Sequence, residues 1–199
     1  MIERIVPIVE GHGEVIAVPE LLRRLMNEMG RYVDVERPQL FKRSGVTKPG
    51  LFEAKVQRAA IDAGDAGAIL VLLDSDHLTP GEDPPCVLGP KLLARAKAAR
   101  ADKRIVVCLA EVEFESWLIA CAESLRGIRK LRHDISRPMN FEKIGGAKEW
   151  LSNQMPGPHR YTPTADQTAL VAKMDLDLAR QHSHSFRRFC QRFHELISA

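Results

Sequence analysis

Three short apolar runs, each ending in acid, constrain this chain more than any other feature. Val6-Pro7-Ile8-Val9 leads into Glu10-Gly11-His12-Gly13-Glu14, and Ala68 to Leu73 leads into Asp74-Ser75-Asp76. Arg104 to Ala110 leads into Glu111-Val112-Glu113-Phe114-Glu115. Short apolar runs without alternation read as parallel strands covered on both faces, and parallel strands need crossover helices. Helical spacing supplies them: Val15, Val18, Leu21, Leu22, Leu25 and Met29 before Gly30; Leu51 to Ala63 before Gly64; and Leu92, Leu93, Ala96 and Ala99. Tyr32 to Leu40 alternates enough for a further strand, whereas His77 to Pro90, rich in Pro, Gly and acid, reads as a loop beside the strand ends. The expected fold is α/β, a mostly parallel Rossmann-like sheet flanked by helices.

Beyond Glu115 the chain shows helices only. They fall around Lys148, Trp150 and Leu151, from about Ala165 to Arg180, and from Ser185 to Ile197 with Phe186, Phe189, Phe193 and Ile197 on one face. Residues 1–125 are expected to form the α/β core and residues 126–199 a helical extension packed on it, a single domain overall. Hydrophobic residues at 45% and charged residues at 28% of 199 suffice for a core and argue against disorder. A net charge of +3 permits nucleic acid as a partner without requiring it. No run approaches the ~18 apolar residues of a membrane span, so no membrane association and a cytoplasmic location are expected. Cys86, Cys108, Cys121 and Cys190 are dispersed, with neither zinc-site nor disulfide spacing.

In open α/β sheets the functional crevice lies beyond the carboxyl ends of the strands, so the acidic segments can share one site. Gathered carboxylates repel one another unless protonated or neutralised, and hard oxygen ligands suit Mg²⁺ or Mn²⁺. At the first segment, Gly11 and Gly13 let the chain turn tightly into a helix whose amides could hold a phosphate. That segment lacks the Lys of a Walker loop and the third Gly of a dinucleotide fingerprint. Asp74-x-Asp76 taken alone also fits glycosyltransferases, aspartyl phosphatases or a helix N-cap. His12 reads equally as a general acid or base and as a turn residue, and His182-x-His184 reads as a surface turn. Lys148 and Arg187 could offset phosphate charge or serve as ordinary surface cations, and Arg188 and Arg192 could track a nucleic-acid backbone. The phenylalanines beside them read as core.

A Glu after the first strand with Gly behind it, followed by Asp-x-Asp after a later strand, resembles the Toprim domain of topoisomerases, primases and overcoming-lysogenisation-defect nucleases. The fuller pattern, Val-Glu-Gly-x-x-Glu, Leu-Asp-Ser-Asp, Glu-x-Glu-x-Trp and Ser-Phe-Arg-Arg-Phe, looks like a bacterial Toprim-like family of uncharacterised proteins. The resemblance implies that Glu10, Asp74 and Asp76 bind Mg²⁺ or Mn²⁺ for phosphodiester chemistry, with Glu14 as the second acid of the nuclease version and Glu113 from the narrower pattern. It implies a nuclease acting on DNA or RNA, with phage defence or a mobile element as the setting. The related nucleases carry an ATPase in the same chain; no Walker motif occurs here, so a partner ATPase in trans is expected. Two tyrosines, Tyr32 and Tyr161, in so short a chain argue against a topoisomerase. A non-catalytic Toprim-like module binding nucleotide, nucleic acid or a partner ATPase is the alternative.

Overall fold

A computed structural model describes residues 2–75, 83–143 and 145–198. The five strands are β1 (Arg4–Val9), β2 (Asp34–Val35), β3 (Gln39–Leu40), β4 (Gly67–Asp74) and β5 (Arg104–Ala110). They form one parallel sheet in the order β2-β1-β4-β5, with β3 also pairing β1. The helices that cover it are α1 (Glu14–Glu28), α2 (Leu51–Ala63), α3 (Pro85–Ala99), α4 (Glu115–Ala120), α5 (Ala147–Asn153), α6 (Thr168–Val171), α7 (Leu176–His182) and α8 (His184–Ser198). The α/β class expected from the apolar runs is the observed one.

The central strands sort their side chains by the two-residue period of an extended chain. Ala68, Leu70 and Leu72 of β4 face one core with α1, α4 and α8, while Ile69, Val71 and Leu73 face the other with α2 and α3. Every residue of β4 is buried, which explains an apolar run without alternation. The C-terminal helices complete the first of these cores. Trp117 of α4 sits at its centre, with ring centroids 5.1 Å from Phe114, 5.1 Å from Phe186 and 4.9 Å from Phe189. Phe186, Phe189 and Phe193 are therefore packing residues, not stacking platforms for bases.

Three expected elements differ. The strand read over Tyr32 to Leu40 is two short bridges, because Glu36-Arg37-Pro38 intervenes and Pro38 has no N–H for the ladder. The segment read as a loop up to Pro90 becomes helical at Pro85, where a first-turn proline needs no amide partner. Pro90 lies inside that helix and leaves the carbonyl of Cys86 without its donor, and Cys86 is exposed to solvent. The helix read from Ala165 to Arg180 is divided into a wide turn (Pro163–Gln167), α6 and α7, with Asp175 capping α7 by accepting from the Leu178 amide at 2.9 Å.

The sheet order fixes where a site can form. From β1 the chain first adds β2 and β3 on one side, then returns to add β4 and β5 on the other. The strand order thus reverses between β1 and β4, the switch point at which a crevice opens beyond the strand ends. Val9 is level with Leu72, so Glu10 and Asp74 leave neighbouring strands at nearly the same height.

Candidate functional site

Glu10 follows β1, and its Oε1 accepts from the Arg43 amide at 3.2 Å. Asp74 ends β4; its Oδ1 accepts from the Phe114 amide at 2.8 Å, and its backbone carbonyl accepts from the Arg43 guanidinium at 3.0 Å. Asp76, the other acid of that segment, lies outside the described residues, as do positions 77–82 of the loop beside it. The turn after β5 is held against β4 by Ser75, whose Oγ accepts from the Val112 amide at 2.9 Å. Val112 has φ +61°, unfavourable for a β-branched residue. That kink separates the three glutamates that an extended chain would have aligned on one face. Glu111 turns toward α8, its amide donating to Ser185 Oγ at 3.1 Å, while Glu113 and Glu115 converge on Lys148.

Lys148, in the first turn of α5, places Nζ 3.2 Å from Glu113 Oε2 and 3.1 Å from Glu115 Oε2. Glu113 remains about one-fifth exposed at the rim, whereas Glu115 is buried. The second oxygen of Glu115 accepts from Tyr161 Oη at 3.0 Å and from Gln167 Nε2 at 3.4 Å. The Glu115 charge raises the carboxyl pKa of both Asp74 and Glu14. Its role is not legible in the sequence, and neither are those of Tyr161, Gln167 and Arg43. No local pattern marks Tyr161 and Gln167, which reach the site through the tertiary fold. Arg43, by contrast, stands in the basic, Gly/Pro-punctuated stretch from Phe41 to Gly50, a loop long enough to invite a functional reading.

The glycine-rich turn differs from an open phosphate cradle. Glu14 folds its own carboxylate back onto it, and Oε2 accepts from the Glu10 amide at 3.2 Å. Gly11 and Gly13 are needed for space and not for left-handed backbone, since neither has a positive φ. A Cβ on Gly11 would stand 2.8 Å from Glu14 Oε1; one on Gly13 would fall on Gln167 Oε1 and 2.8 Å from Pro163. The internal carboxylate takes the amides of Glu10 and Gly11 at the head of the turn. His12, between the glycines, is exposed.

Burial pushes the Glu14 carboxyl up to about 7; the amides of Glu10 and Gly11 work against this, and the negative fields of Glu115 and Glu10 add to it. Burial likewise holds Asp74 well above the usual carboxylate range, with Glu14, Glu115 and Glu10 adding to it and Lys148 opposing. Burial raises Glu115 too, against the pull of Lys148. Desolvation disfavours the Lys148 ammonium, but Glu115, Asp74 and Glu113 outweigh it and hold the group above its ordinary range. Burial and the Glu115 charge keep the Tyr161 hydroxyl protonated, so it donates.

Beside Glu10 a cleft opens between the 41–50 loop and α3, lined by Lys42, Arg43, Ser44, Thr47, Lys91 and Arg95. Arg95 is engaged by Glu53 at 2.6 Å and Lys91 by Asp83 at 2.8 Å, while Lys42 is exposed. The other expected cations lie elsewhere. Arg187, Arg188 and Arg192 are on the exposed face of α8, where Arg192 pairs with Glu195 at 3.0 Å. His182 Nδ1 meets the Ala120 carbonyl at 3.0 Å, and His184 caps toward Glu142 through its amide. Among the described residues no three His, Cys, Asp or Glu side chains stand together as a ready metal shell, and no helix is long and apolar enough to cross a membrane.

Neither the curated proteins nor the solved structures contain a match to this chain. A protein family described as "Domain of unknown function (DUF4276)" matches residues 9–194, a span that holds both the acidic cluster and the helices that enclose it. The chain belongs to the DUF4276 family.

Proposed function

We propose that this protein is a Mg²⁺- or Mn²⁺-dependent phosphodiesterase of Toprim type, a nuclease acting on DNA or RNA. The observation that carries the reading is the burial of Glu14, Asp74 and Glu115 with Glu10 at the sheet's switch point, where burial and their mutual repulsion raise the acids against the partial offset of Lys148. Such a cluster repels itself unless protons or further positive charge join it, and its donors are all hard oxygens. The residues that would hold a divalent ion are Glu10, Asp74 and Asp76, with Glu14 and Glu113 beside them. When bound, the ion supplies Lewis acidity at phosphoryl oxygens and lowers the pKa of an attacking water.

The chain's own groups have separate tasks. The Phe114 amide fixes the Asp74 carboxylate, and Arg43 braces Glu10 and the end of β4 through its amide and guanidinium. Glu113 and Glu115 hold the Lys148 ammonium at the mouth of the cluster, where it would offset charge on a bound phosphate. The cleft beside Glu10 gives a polyanion a route to the acids. The Glu-Gly-x-x-Glu and Asp-x-Asp pattern adds the resemblance to Toprim nucleases, from which phage defence or a mobile element follows as the setting, and a partner ATPase in trans as the companion.

One observation favours a second reading, a non-catalytic Toprim-like module that binds nucleotide, nucleic acid or a partner ATPase: the described acids do not form a ready metal shell. Incubation of the purified protein with Mg²⁺ or Mn²⁺ and single- or double-stranded DNA and RNA separates the two. Cleavage by wild type that is lost in Asp74→Asn, with the fold intact by circular dichroism, is expected. Cleavage undiminished in Asp74→Asn removes the metal mechanism. Binding without cleavage on all four substrates supports the second reading.

A further inference from the structure

We infer that the turn over residues 126–133, together with His159 and Arg160, is a second site, a basic platform for the phosphate backbone of a nucleic acid. As a statement of how substrate is gripped it rests on the nuclease reading, but its test needs no cleavage.

Arg126, Arg129, Lys130, Arg132 and Arg160 are all exposed here. Among the described residues only two carboxylates pair with them: Asp166 at 3.0 Å from Arg129 and Asp134 at 2.6 Å from Arg132. The hydrogen bonds of Arg126 and Arg160 go to backbone carbonyls, of Ile135 in one case and of Gly157 and His159 in the other; Arg126 also feels the Asp134 charge, which it shares with Arg132. Lys130 Nζ stands 3.3 Å and 3.2 Å from the two ring nitrogens of His159, a contact that ties the turn to the 157–160 segment without a carboxylate between them.

The backbone supplies an independent observation. Arg129 (φ +48°) and Lys130 (φ +67°) are consecutive left-handed residues that carry side chains, a conformation single glycines adopt readily and long side chains do not. They follow Gly127 (φ +72°), and the Gly127 amide donates to the Leu131 carbonyl at 3.1 Å, closing a tight loop that turns the cations outward. Strain of this kind is retained where the resulting side-chain placement has a use.

The platform is joined to the acidic cluster through the chain. Arg160 directly precedes Tyr161, which donates to Glu115, and Asp166, the partner of Arg129, directly precedes Gln167, which donates to the same carboxylate. The guanidinium and ammonium groups of the platform suit phosphate oxygens, contacts that position a nucleic acid without reading its sequence.

The test is fluorescence-anisotropy binding of labelled 30-mer duplex DNA, single-stranded DNA and single-stranded RNA, in EDTA, over a salt series. It compares wild type, Lys130→Ala/Arg160→Ala and the remote control Arg58→Ala. At low salt the double variant is expected to bind about tenfold more weakly, and the slope of log K against log salt is expected to fall by about 2, one for each phosphate that is no longer neutralised. Arg58→Ala should leave both unchanged. Unaltered affinity and slope in the double variant overturn the inference, and so does an equal weakening in Arg58→Ala, which would reduce the effect to net charge. Loss of cleavage in Asp74→Asn is measured separately, so either proposal can fall without the other.

Discussion

Glu14→Gln isolates the electrostatic cost of the acidic cluster. In the folded protein the Glu14 carboxyl is pushed up to about 7 from an ordinary 4.5, chiefly by burial. The folded state therefore binds the proton more tightly than the unfolded one, and stability falls as pH rises from about 4.5 to about 7, then levels off. A gap of about 2.5 pH units at about 1.4 kcal/mol each makes this cost about 3 kcal/mol above pH 7. Glu14 is only 5% exposed, so solvent screening does not reduce it much. Glutamine removes the charge and keeps an oxygen for the Glu10 amide, but it sets an NH₂ where the second carboxylate oxygen stood, at about 1–2 kcal/mol. The variant should thus be more stable by about 1–2 kcal/mol at pH 8, a rise in Tm of about 2–8 °C, and equal or less stable at pH 4.5. Thermal and urea denaturation in EDTA at both pH values measure this. An identical difference between wild type and variant at both pH values would refute the reasoning, because only a charge effect changes sign between them.

Gly13→Ala forces a methyl onto Gln167 Oε1 and toward Pro163, and should lose about 1–3 kcal/mol in urea denaturation; a neutral result would show that the 163–167 segment does not seat against the turn. Phe189→Ala empties a position in contact with Trp117 and should lose about 3–5 kcal/mol, accompanied by a red shift of tryptophan emission. Tyr161→Phe leaves Glu115 with Lys148 and Gln167 alone, and should lose about 1–2 kcal/mol by the same assay, without a cavity term because the ring is kept.

The sequence by itself determined the central strands of the sheet and the end at which the acids behind them emerge. Uninterrupted apolar runs at Val6–Val9 and Ala68–Leu73 leave no choice but strands buried on both faces, and acids directly behind them must then emerge at one end of the sheet. That logic is local, so it is readable in the chain. What the acids do to one another is not. Glu14 filling the turn that Gly11 and Gly13 open depends on a side-chain fold-back, and the selection of Glu115 over Glu111 depends on a left-handed Val112 held by Ser75, 37 residues away. Tyr161, Gln167 and Lys148 reach Glu115 from helices and turns whose order in space is set only when the C-terminal segment closes the core around Trp117. Periodicity records which residues are buried, whereas charge coupling depends on distances between segments remote in sequence, and only the tertiary structure supplies those.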